Sequence, residues 1–92
     1  MWSNSKASVF TALLLSEMPT KVSNLYPEVK GWDHLSDKAK KRKLYRVLDR
    51  LIEDGFIRRT KVKGIFHYYP TKLGKINYEV NVINRLEAYL HG

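Results

Sequence analysis

The apolar positions of the chain change period twice, and each period predicts a different element. Ala7, Phe10, Leu13, Leu14 and Leu15 recur at helical spacing behind the capping candidates Ser3, Asn4 and Ser5. This predicts a first helix over about residues 5–17, stopped by Pro19. Thr20 then caps a short segment, 21–26, in which Val22 and Leu25 give one apolar edge before Pro27, so a brief second helix is expected. Residues 27–35 hold Pro27, Gly31 and Asp33 and read as a connection whose Trp32 and Leu35 fold back onto the core.

Leu44, Val47, Leu48, Leu51 and Ile52 form the i, i+3, i+4, i+7, i+8 stripe of an amphipathic helix. Ser36 is its N-cap and Gly55 its C-terminal cap, which sets a third helix over 37–54. The period then falls to two. Residues 56–62 and 65–69 alternate and are rich in β-branched and aromatic side chains, with Lys63-Gly64 as a tight turn between them, so a two-stranded hairpin is expected. Thr71 caps a last helix over 71–91, with Leu73, Ile76, Val80, Ile83 and Leu90 on one stripe and Val82, Leu86 and Tyr89 beside it. That arc is wider than one helix needs to cover a chain this small. Ile76, Val80, Ile83, Leu86, Tyr89 and Leu90 are therefore the expected contacts with a second subunit, against the simpler reading of broad packing on the first helix.

With 92 residues and 43% hydrophobic content, the chain is expected to form a single domain, 1–92, at the marginal end of core burial. It has no cysteine, which removes disulfides, zinc knuckles and thiolate chemistry and makes an intracellular, cytoplasmic setting the default expectation. The longest apolar run near the N-terminus, 12–15, is neither a signal peptide nor a membrane span. His34, His67 and His91 share no metal-ligand spacing, and the nine acids form no catalytic pairing, so neither a metal site, a cofactor nor an enzyme is read. Asp49 and Glu53 are expected to pair with Arg46 and Arg50.

Charge changes the picture most. The chain carries a formal net charge of +8, and residues 38–63 hold 11 of the 17 Lys and Arg against three acids, Asp49, Glu53 and Asp54. The other residues are balanced, so the excess is local to the third helix and the hairpin. Lys38, Lys40, Lys41, Arg42 and Lys43 crowd the start of that helix and the acids its end, the reverse of what the helix dipole favours by about 0.3–1 kcal/mol per charge. An order that opposes helix stability answers to another requirement, and a row of phosphates would meet it. Opposite the apolar stripe, at 100° per residue, stand Lys38, Arg42, Arg46, Asp49 and Glu53, flanked by Lys43, Tyr45 and Arg50. Arg59, Lys61 and Lys63 alternate along the hairpin and are expected on one face, tracking the nucleic-acid backbone.

Helix, short helix, basic helix, hairpin, helix is the order of a winged helix-turn-helix. The stretch KLYRVLDRLIEDGFIRR followed by FHYYPTKLGK resembles the PadR and MarR groups of bacterial and archaeal winged-helix regulators. The resemblance covers residues 36–76 and rests on Leu48, Leu51, Gly55, Phe56 and Ile57, then Tyr68 or Tyr69, Thr71 and Gly74. The compact size and the Lys and Tyr usage also resemble small winged-helix proteins of archaea and their viruses, for which the host cytoplasm would be the setting. The fold implied is α+β, three N-terminal helices, a two-stranded wing and a C-terminal helix. The function implied is double-stranded DNA binding by a homodimeric transcriptional regulator, with the 37–54 helix in the major groove and the 57–69 wing on the backbone.

By that resemblance Arg42, Tyr45 and Arg46 match the base-reading positions. Ser36, Lys38, Lys40, Lys41, Lys43 and Arg50, with Arg59, Lys61 and Lys63, are the expected phosphate contacts. Two features depart from the pattern. The connection over 27–35 exceeds the tight turn of a minimal helix-turn-helix, and the two-residue wing tip has little reach, which favours phosphate contact over deep minor-groove reading. Two other classes stay open: a winged helix used as a protein-interaction module, and a binder of structured RNA. Stacking of single-stranded bases on Phe66, Tyr68 or Tyr69 is weighed against their packing on the third helix, the commoner fate of hairpin aromatics.

Overall fold

The computed structural model describes residues 2–91. The elements run α1 (Asn4–Leu15), β1 (Thr20–Lys21), α2 (Val22–Leu25), a 3-10 turn (Tyr26–Glu28), α3 (Asp37–Glu53), β2 (Ile57–Val62), β3 (Ile65–Pro70) and α4 (Lys72–Tyr78). A π-helical turn (Glu79–Ile83) then leads into α5 (Asn84–His91). Helices and an antiparallel sheet share one core built from Val9, Phe10 and Leu13 of α1, Leu25 of α2, Val29 and Trp32 of the connection, Leu44, Leu48 and Leu51 of α3, and Ile57 and Tyr68 of the hairpin.

The caps follow the sequence. Ser3 Oγ accepts from the Lys6 N–H and Ser36 Oγ from the Ala39 N–H, each at 3.2 Å. At the far end of α3 the Gly55 N–H donates to the Ile52 carbonyl and the Phe56 N–H to the Leu51 carbonyl. With Gly55 at φ +78°, this is a Schellman stop. The chain turns there into β2, and Lys63 and Gly64, both at positive φ, close the β2–β3 hairpin as a two-residue turn.

The hairpin is not the whole sheet. Thr20 and Lys21 pair with Tyr68 and His67, giving a three-stranded antiparallel sheet of order β1-β3-β2 in place of the expected two strands. Two residues are too few to show a period, and Thr20, read as a helix cap, instead lies buried against β3. Lys63 also departs from expectation. It occupies the left-handed turn position at φ 51°, outside β2, so strand alternation does not align it with Arg59 and Lys61.

The last helix is likewise not uniform. Its backbone remains helical at Tyr78, Glu79 and Asn84, but the turn between α4 and α5 is π-helical. It is fastened at its root. Thr71 Oγ1 donates to the Gly55 carbonyl at 2.7 Å and accepts from the Gly74 N–H at 3.0 Å, while the Thr71 N–H donates to the Phe56 carbonyl. Gly74 rides so close on Phe56 that a Cβ there would fall 2.1 Å from the Phe56 carbonyl oxygen. Trp2 completes this corner: its indole stacks on Phe56 at 4.9 Å, meets Phe10 and Tyr78 edge-on, and donates from Nε1 to Asn77 Oδ1 at 2.7 Å.

Broad packing of the last helix on α1 does not occur. Gly74 and Tyr78 are buried, whereas Leu73, Ile76, Val80, Ile83, Leu86, Tyr89 and Leu90 are exposed, Tyr89 to 85%. Seven large apolar side chains thus lie in water along one helical segment.

Candidate nucleic-acid interface

α3 is held by Leu44, Val47, Leu48 and Leu51, all buried, and this fixes which of its side chains face outward. Lys38, Lys41, Arg42, Tyr45, Arg46, Asp49, Arg50 and Glu53 are exposed, and Lys40 and Lys43 half-buried. Two of the lysines lie on aromatic rings supplied by the connection: Lys41 Nζ is 5.1 Å from the centre of Tyr26, and Lys43 Nζ 5.1 Å from that of Trp32. In each pair the ring face meets the ammonium itself and restricts where that charge can stand.

The expected pairing of Asp49 and Glu53 with Arg46 and Arg50 is absent. Among the described residues the ion pair formed is Lys6 Nζ to Asp54 Oδ2, at 2.7 Å, tying α1 to the end of α3. Arg42, Arg46 and Arg50 of α3 thus form no ion pair with the acids of their own helix. Helical i, i+3 and i, i+4 spacing allows such pairs, but at an exposed site each is worth only a few tenths of a kcal/mol net, too little to hold two long side chains in one geometry.

Register places the wing's contribution. Arg59 faces Tyr68 and Lys61 faces Phe66 across the hairpin, so these four share one face. The Arg59 guanidinium lies 4.2 Å from the centre of Phe66 and Lys61 Nζ 5.1 Å from it. Phe66 is thus a rigid plate carrying two cations. Tyr68 is buried beneath α3, and burial pushes its phenol above the usual tyrosine value; Arg59 beside it opposes the shift, while Tyr45 and Asp49 of α3 add to it. Tyr45 of α3 and Phe66 and Tyr68 of the hairpin line one cleft, so the Arg59–Tyr68 face of the hairpin stands beside the exposed side of α3.

Between them runs a cleft of about 400 Å³ lined by Lys21, Ser23, Lys41, Tyr45, Phe66 and Tyr68, with Val22, Gly64 and Ile65. On the other flank of α3, Lys43, Arg46 and Arg50 line a smaller depression of about 220 Å³ with Ser3, Ser5 and Lys6. Positive charge therefore stands on both sides of the helix. Of the residues named from sequence, the fold brings Lys41, Tyr45, Arg59 and Lys61 to the wing side and Lys43, Arg46 and Arg50 to the α1 side. Lys38 and Arg42 lie on the exposed face, Ser36 serves as N-cap, and Lys63 sits at the wing tip. Lys21 and Tyr26 were not foreseen. Their only signal was position beside Pro27 and Thr20, since the β1 pairing that delivers Lys21 is invisible to periodicity.

Among the described residues no group of His, Cys, Asp or Glu is placed to hold a metal ion, and no helix is long and apolar enough to cross a membrane.

No protein-family model matches the chain, and no curated protein matches it in sequence. In structure it is similar to the crystal structure of SSV1 F-93, with a TM-score of 0.61 at 20% identity, covering 99% of this chain and 93% of that one. The likeness is one of fold. An α+β architecture with a three-stranded antiparallel sheet and a hairpin beside α3 fits a winged helix.

Proposed function

We propose that the chain is a sequence-specific double-stranded-DNA-binding regulator of PadR/MarR-like type, acting as a homodimer. Its α3 enters the major groove, Arg42, Tyr45 and Arg46 face base edges, and the flanking lysines and the wing cations meet phosphates on either side. One observation carries the reading: α3 presents a basic face free of internal ion pairs, with cations on both flanks and the wing beside it. A helix between two phosphate rows needs charge on both sides, which a merely solvated basic helix does not.

The dimer reading is supported by the exposed apolar side chains of α4, the π turn and α5, with Ile76, Val80, Ile83, Leu86, Tyr89 and Leu90 as the contacts. Two subunits would then read half-sites about one helical turn apart.

The test is titration of duplex DNA at several salt concentrations. If at least six phosphates are neutralised per dimer, log K falls with log salt at a slope of about −5 or steeper. Arg42→Glu with Arg46→Glu removes binding while the melting curve stays that of the wild type, because both side chains are exposed. Salt-independent binding, or equal binding to heparin and duplex, overturns the reading in favour of a polyanion-docking or protein-interaction module.

A further inference from the structure

Asp49 is the acid that a phosphate-facing surface leaves without a purpose. Asp37 stands in the first turn of α3, where the helix dipole favours it, and Asp54 receives Lys6. Glu53, also exposed and without an ion pair among the described residues, is the final residue of α3, one turn further from Arg42. Asp49, by contrast, lies in the body of the exposed face, seven residues beyond Arg42 and within about 20° of its direction. Arg46 and Arg50 flank it in sequence, three residues before it and one after. Among the described residues it nevertheless forms neither an ion pair nor a side-chain hydrogen bond. Both carboxylate oxygens are open to a partner.

A carboxylate in this place weakens attraction to every phosphate nearby, whatever the sequence. What the major groove offers in return is a donor. The N4 amino group of cytosine projects there, and an aspartate accepts from it. Seven residues advance about 10.5 Å along a helix that follows the groove, so the two side chains would reach bases a few pairs apart rather than neighbouring ones. We propose that Asp49 is a specificity-determining residue that accepts a hydrogen bond from a cytosine N4 amino group, a few base pairs from the base read by Arg42. The inference rests on the duplex-binding reading above. In it Arg42 supplies both affinity and reading, whereas Asp49 lowers affinity for all sequences and restores it for one.

The experiment is selection of bound duplexes from a random pool by the full wild-type chain, Asp49→Ala and Asp49→Asn. It is followed by titration of the selected duplex and of the same duplex with the cytosine replaced. Thermal melts establish that both variants fold. Wild type is expected to select one cytosine per half-site a few base pairs from a guanine, and its replacement to weaken wild-type binding about 5- to 150-fold. Asp49→Ala removes that penalty, keeps the preferences elsewhere and binds unrelated duplexes more tightly. Asp49→Asn moves the preference at that position to adenine, which an amide pairs with through N6 and N7. The proposal is overturned if Asp49→Ala keeps the wild-type preference at every position, if it loosens all positions alike, or if wild type selects no sequence. Failure of the duplex reading shows separately, as a wild type that binds no duplex or binds without the salt slope.

Discussion

Tyr68 joins the wing to α3 through a single buried phenol, and its burial has a consequence that pH reads out. Because the folded state holds the phenolic proton more tightly than the unfolded chain, whose tyrosine sits near 10.0, the unfolded state loses its proton first. Stability is therefore unaffected by this group at neutral pH and falls as pH rises past 10 toward the raised folded value. Urea unfolding at stepped alkaline pH is expected to show this fall in the wild type and a shallower one in Tyr68→Phe; parallel curves would assign the fall to other groups. Single residues of this kind were only partly legible in the sequence. Tyr68 was one of two tyrosines that fitted the family pattern, and only its burial distinguishes it from the half-buried Tyr69. Phe66, weighed as a stacking residue, proves half-exposed and already occupied by Arg59 and Lys61.

At the scale of elements, the corner where α3, β2 and α4 meet is built on a backbone approach no side chain other than hydrogen permits. A Cβ on Gly74 would lie 2.1 Å from the Phe56 oxygen and within 3 Å of two more Phe56 backbone atoms, and backbone has little room to yield. Gly74→Ala, which at an open helical site would stabilise by up to about 1 kcal/mol, is expected here to cost about 3 kcal/mol and lower Tm by roughly 10–20 °C. A melting shift of under about 3 °C would mean that α4 docks otherwise. This corner gives a physical reason for the Thr71 and Gly74 pair that the family pattern picks out: Thr71 bonds to Gly55, and Gly74 packs on the Phe56 backbone. α3 was legible for a different reason, since 17 residues sample the helical period many times over. Strand β1, two residues long, samples it not at all, and the π turn preserves enough periodicity to pass as ordinary helix.

The whole molecule is elongated, 46 × 31 × 22 Å, with Leu86, Tyr89 and Leu90 of α5 all exposed. Apolar surface of this extent on a 10.8 kDa chain, carried on elements other than α3, offers a place for a second subunit. Sedimentation equilibrium is expected to give twice the chain mass for the wild type. Ile83→Glu with Leu86→Glu should give a single folded chain, with duplex affinity lowered about 100-fold through loss of the second half-site. A wild type that stays at 10.8 kDa at all concentrations rejects the dimer.

The two tryptophans divide this molecule optically. Trp2 lies at the root of the last helix, between Phe56 and Tyr78, and Trp32 lies under the ammonium of Lys43 on the α1 side of the basic helix. Each replaced in turn by phenylalanine leaves one emitter. Trp32 fluorescence will follow Lys43 as it is drawn toward a polyanion, and Trp2 fluorescence will follow the seating of the helix that carries the apolar face. One chain thus holds separate, label-free signals for its two surfaces.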